Sequence, residues 1–234
     1  MNEEDVRWVT TAAREAILFL GHYAVGLAAK QAAPRTSLGT LIAAAAFLDL
    51  LWPVFLLLGL EEVSIAPGTT QFTPLDFTRY PYSHSLLMSL VWGLLFGGSY
   101  LALTRYRAGA IVVGGLVPSH WVLDFVVHRP DLPLTPGGTE RYGLGLWNSV
   151  PATFAVELSL FAAGVWLYAA ATSARDRIGS LGLAGFLIFI LAMYAGAAFG
   201  PPPPSVAAIA WTDMGQWVVV LLAAWIDRHR AARR

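Results

Sequence analysis

The chain has 234 residues, of which 56% are hydrophobic and only 13% charged, with a formal net charge of zero. A soluble domain carries about twice that share of charge and could not hide so much apolar surface in one core, whereas a bilayer covers it with lipid. The even balance gives no basic field for nucleic acid, and the absence of cysteine excludes disulfides, thiolate zinc sites and a cysteine nucleophile.

Residues 1–6 are acidic and lack the positive start of a cleaved signal peptide, so the first helix is expected to be retained. Seven apolar stretches follow, each long enough at about 17–25 residues to span hydrocarbon. They cover 12–30, 37–60, 84–104, 108–128, 150–171, 181–199 and 205–226. The expected fold is an all-α polytopic membrane bundle of about seven transmembrane helices. It forms one domain over 1–234, with a core at about 12–171 and two additional helices at about 181–226.

Loop charges give an orientation. Lys30 and Arg35 follow the first stretch, Arg105 and Arg107 the third, Arg175 and Arg177 the fifth, and Arg228, Arg230, Arg233 and Arg234 the seventh. The intervening loops have their basic residues mostly matched by acids. The positive-inside rule therefore places the C-terminus in the cytoplasm and the N-terminus outside. Two long outer loops, 61–83 and 129–149, are rich in Gly, Pro, Thr and aromatic residues and are over-long for simple connectors.

Ionisable side chains inside spanning helices are costly and usually functional. Here they are His22, Asp49, His120, Asp124, His128, Glu157 and Asp213, with His84 at the start of the third stretch. The segment SHWVLDFVVH sets His120, Asp124 and His128 four residues apart, on one helical face. His120 and His128 lie two turns apart, roughly 12 Å, so one ion cannot easily take both. If all three are ligands, Asp124 bridges two ions, with His128 on or near the second. Interhelical hydrogen bonding is the plain alternative. For Asp49 that alternative is a polar clasp near a kink at Pro53. His84 joins the others only if the preceding loop dips into a protein-lined cavity.

Nitrogen and oxygen ligands suit zinc, manganese or iron. Such sites acidify a bound water, and hydrolysis becomes the default chemistry; two bridged ions favour phosphoester cleavage. Glu157 is a candidate for handling the proton, Asp124 is the central carboxylate, and Arg79 and Arg129 are candidates for holding a substrate phosphate.

The order of His22 in GHYAVGLAAK, Asp49 in FLDLLWP, His84 in YPYSHSLL and then SHWVLDFVVHRPDLPL resembles the bacterial membrane-bound metal-dependent hydrolases known as YdjM-like. The likeness covers roughly residues 21–132. That family is thought to be distantly related to zinc-dependent phospholipase C and the P1-type nucleases. The resemblance implies one metal on Asp49, His84, His120 and Asp124, a second shared between His22 and Asp124, and a third involving His128. The soluble relatives use their N-terminal residue and a further histidine–acid pair, which have no counterpart here, so one or two ions are expected, zinc first and manganese next. The implied protein is a hydrolase of the bacterial inner membrane. Its site opens to the extracytoplasmic side and acts on a phospholipid or lipid-linked phosphoester. A transporter is the competing class, disfavoured at this level by the lack of inverted repeats and paired broken helices. A purely structural metal is the third.

Overall fold

A computed structural model describes residues 20–233, so most of the first apolar stretch lies outside the described residues. Helix α1 (Leu20–Ala28) is followed by α2 (Leu38–Ala45), α3 (Phe47–Leu57), the one-turn α4 (Pro81–His84), α5 (Leu86–Thr104) and α6 (Arg107–Val127). Then come α7 (Val150–Ala171), α8 (Leu183–Phe199), α9 (Val206–Asp213) and α10 (Gln216–Arg228). Serines set four of the helix starts. Ser37, Ser85, Ser149 and Ser205 each accept an N–H from the first turn that would otherwise be unpaired.

Five helical segments among the described residues are long and apolar enough to cross a membrane, and a sixth is the bent pair α2–α3. The bend is 60° and falls at Ala46, seven residues before the expected Pro53, which sits inside α3 without ending it. The last segment is also interrupted, at Met214–Gly215 between α9 and α10. The expectation of an unbroken span is therefore corrected at α2–α3, whereas α9 and α10 together make one span with a local turn at Met214–Gly215. The two interrupted segments pack on each other, α9 against α3 and α10 against α2.

The bundle is not purely α. Strands β1 (Glu62–Ile65) and β2 (Leu75–Arg79) pair antiparallel with Ser64 opposite Asp76, and β3 (Leu132–Pro133) pairs with β4 (Arg141–Tyr142). These hairpins give the long loops backbone partners without water. At the other end β5 (Thr172–Ala174) pairs with β6 (Arg230–Ala232).

Contacts sort the loops into two ends. Lys30 reaches Asp227, Thr36 bonds Tyr100, Arg35 lies over Tyr106, and His229 bonds Asp176, so the basic loops gather together. The bond from His229 holds the exposed Asp176 carboxyl below its usual range. At the opposite end Phe72 donates its N–H to the Trp147 carbonyl, tying the first long loop to the second. Between the ends, α1 crosses α7 closely. A Cβ at Gly164 would sit 2.4 Å from the Ala24 carbonyl, so only glycine permits the approach that seats α1.

Candidate metal centre

Four helices bring five side chains together: His22 from α1, Asp49 from α3, His84 from α4, and His120 and Asp124 from α6. His120 and Asp124 sit one turn apart, and the loop before α5 carries the one-turn α4 inward, so that His84 is only 5% exposed. His84 Nε2 lies 3.3 Å from Asp49 Oδ1 and 3.7 Å from Asp124 Oδ2. His120 Nε2 lies 3.4 Å and 3.2 Å from the same two oxygens. His22 Nε2 lies 3.1 Å from the other Asp124 oxygen, Oδ1. Ligands about 2.0–2.1 Å from a tetrahedral ion stand roughly 3.4 Å from one another, and these separations match. Two overlapping triads, His22–Asp49–His120 and His84–His120–Asp124, meet the spacing needed to hold an ion.

Hydrogen bonding outside the cluster decides which way the imidazoles present themselves. His120 Nδ1 is 2.9 Å from the Ala45 carbonyl, which only accepts, so Nδ1 carries the hydrogen. Ser83 gives its hydroxyl hydrogen to Glu61 Oε2 at 2.6 Å and so accepts from His84 Nδ1 at 2.7 Å. Unless they are protonated, both Nε2 atoms then aim lone pairs at carboxylate oxygens. Asp124 Oδ2 is buried with no hydrogen-bond donor among the described residues. The His22 and His120 rings stack in parallel at 3.6 Å, an arrangement that two imidazolium charges would oppose. Facing lone pairs and an orphaned carboxylate oxygen call for a cation between them, and the donor set fits a divalent ion.

Glu61 extends the support. It is 2% exposed and also accepts the Tyr82 and Ser83 N–H groups at 2.8 Å each. Replacing Glu61 with alanine is expected to weaken metal affinity about 10–100-fold, the usual effect of losing an outer hydrogen-bond partner. Competition with a metallochromic chelator measures it, and unchanged affinity would count against this chain of bonds.

The cluster forms the floor of a small cleft of about 20 Å³, room for about one water molecule. Trp52, Phe77, Trp147 and His128 complete the lining with His22, Asp49, His84 and Asp124. His128 belongs to neither triad, and the second oxygen of Asp124 meets His22, not the His128 that helical spacing alone set on or near a second ion. The Nδ1 of His128 is instead 3.0 Å from Asp131, which also takes the Tyr80 hydroxyl at 2.7 Å. Burial, reinforced by Asp131, holds the Tyr80 hydroxyl well above the usual phenol range.

Other expected site residues lie elsewhere. Glu157 is fully buried but accepts the Leu20 N–H at 3.2 Å and does not line the cleft. Arg79 pairs with Glu62 at 3.1 Å on the exposed hairpin. Arg129 pairs with Asp76 and Asp131. Neither arginine is in the cleft wall, because each charge is matched by carboxylates on its own loops. Asp213 bonds Gln216, which bonds Tyr23, in a separate buried chain. The sequence does not single out Glu61 or Ser83, and Asp131 reads there only as a charge balanced by a nearby arginine.

Comparison of the chain with family profiles, with curated proteins and with solved structures found no match.

Proposed function

We propose that the chain is a membrane-embedded, metal-dependent hydrolase that cleaves a phosphoester, either a phospholipid or a lipid-linked ester. The observation that carries this reading is the pair of imidazoles, each fixed by an outer hydrogen bond so that Nε2 confronts two carboxylates at the floor of an accessible cleft. Asp49, His84, His120 and Asp124 would hold one ion, zinc first and manganese next. His22 and Asp124 Oδ1 offer part of a second position. When bound, such an ion supplies Lewis acidity and brings a water's proton loss near neutral pH.

The chain's own groups supply the rest. Asp49 is the most open of the cluster's carboxylates, with its side chain 16% exposed, and its Oδ2 has no protein partner among the described residues. The proton of the attacking water passes to solvent, not to Glu157, which does not line the cleft. Trp52, Phe77 and Trp147 make apolar walls that limit water in the cleft. We also propose that the chain spans the bacterial inner membrane seven times with the N-terminus out. The clustered basic loops then face the cytoplasm and the cleft opens on the extracytoplasmic side.

The test is turnover by protein reconstituted in liposomes, with phospholipid vesicles and water-soluble phosphodiesters offered side by side. Cleavage that a chelator abolishes and zinc or manganese restores is the expected result. Stoichiometric metal without turnover of any ester would defeat the hydrolase reading. The 60° bend between α2 and α3 favours one second reading, a cation transporter, since broken helices flank transport sites. Metal-driven uptake into the same liposomes without ester cleavage would select it.

A further inference from the structure

His128 caps the end of α6 and is 4% exposed, yet it reaches the cleft wall. Asp131 is a carboxylate and accepts, so the His128 Nδ1 at 3.0 Å carries a hydrogen. Tyr80 donates to the same oxygen at 2.7 Å, and Arg129 Nε faces the other at 3.4 Å, so Asp131 is fixed on three sides. The His128 Nε2 has no protein partner among the described residues. The ring is wedged between Trp147, 4.3 Å away between centroids, and Phe77, 4.9 Å away.

The loop that delivers Trp147 is itself pinned. The Leu144 N–H donates to Phe125 and the Gly145 N–H to the His128 carbonyl. At Gly143 (φ +159°) an added Cβ would lie 2.2 Å from the Arg129 carbonyl oxygen. An imidazole held this firmly, outside both ion-holding triads, is built to present one nitrogen to whatever fills the cleft.

We infer that His128 donates a proton to the oxygen that leaves phosphorus, with Asp131 and Tyr80 as the residues that position it. This inference rests on the hydrolase reading. His128 enters the step as imidazolium paired with Asp131. Water attacks phosphorus and gives up a proton to solvent, the P–O bond to the alcohol breaks, and the leaving oxygen takes the Nε2 proton. Solvent then returns a proton to His128. The sum is ester plus water giving alcohol plus acid phosphate.

The experiment compares wild type with His128→Gln by elemental analysis, by binding of inorganic phosphate to zinc-loaded protein, and by turnover of a phenyl and a 4-nitrophenyl ester of one phosphate. Metal content is expected to be unchanged, and phosphate binding to weaken about ten- to a hundredfold through loss of a charged hydrogen bond. Turnover of the phenyl ester, whose leaving oxygen needs a proton, is expected to fall about 10²–10⁴-fold. The 4-nitrophenyl ester, which leaves without one, is expected to lose less than about tenfold. Asp131→Asn keeps the shape of the site and is expected to give the same pattern at smaller size, which covers the case of a His128 variant that fails to fold. Loss of metal, unchanged phosphate binding, or equal loss on both esters overturns the assignment. A wild type that cleaves neither ester overturns the hydrolase reading and the proton transfer with it. A wild type that cleaves both, with a variant impaired equally on the two, removes the His128 assignment alone.

Discussion

Asp124→Ala is expected to strip the purified protein of its metal, lowering affinity by more than about a hundredfold, beyond what loss of an outer partner alone produces. The two Asp124 oxygens face all three imidazoles of the cluster. One oxygen stands 3.1 Å from His22, and the other 3.2 Å from His120 and 3.7 Å from His84. Without it, three imidazoles face a single carboxylate, and any second ion position loses its only bridge. Elemental analysis of wild type and variant, each shown monodisperse by size exclusion, reads the effect directly. Asp213→Asn is the control, because Asp213 is an equally buried acid outside both triads and is expected to leave metal content unchanged. A metal-replete Asp124→Ala protein would refute the centre as drawn.

The second large effect concerns stability. Lys30 is 4% exposed, 2.6 Å from Asp227 Oδ2 and 2.8 Å from the Thr36 carbonyl. Asp227 in turn takes the Tyr168 hydroxyl at 2.8 Å and the Leu38 N–H at 3.0 Å, joining α2, α7 and α10 to the turn that follows α1. Lys30→Met removes the counter-charge and leaves a buried carboxylate, which costs about 3–5 kcal/mol. A clear fall in the thermal unfolding midpoint in detergent is expected. The double variant Lys30→Met with Asp227→Leu is expected to recover much of it, since two apolar groups replace the pair without stranding a charge. A single variant as stable as wild type would show that the pair contributes little.

Sequence alone made the centre legible where chemistry and environment conflict. His22, Asp49, His120 and Asp124 stand in runs so apolar that each had to have a partner, and the four-residue spacing of His120 and Asp124 fixed their shared face. His84 was legible only by type. Its depth depends on α4 and on Glu61, more than 20 residues away, which no periodicity reports. Of the acids that do the supporting, Glu61 has nothing in the sequence to single it out, and Asp131 sits in a loop where an arginine offered a simpler explanation of its charge. The spanning segments followed from apolar length. The bend did not, because LIAAAAFLDLLW runs through Ala46 with no glycine or proline to mark it. Arg79 and Arg129 show the opposite failure, since residue type suggested phosphate while local pairing had already claimed both.

The bend at Ala46 has a mechanical side. The Ala45 carbonyl that steadies His120 belongs to the last residue before the elbow, and Asp49 stands one turn beyond it. Straightening this segment would draw the carbonyl and the carboxylate away from the same ring. An ion held in the centre would therefore stiffen the elbow, and its loss would let the segment flex, as a pin does in a hinge.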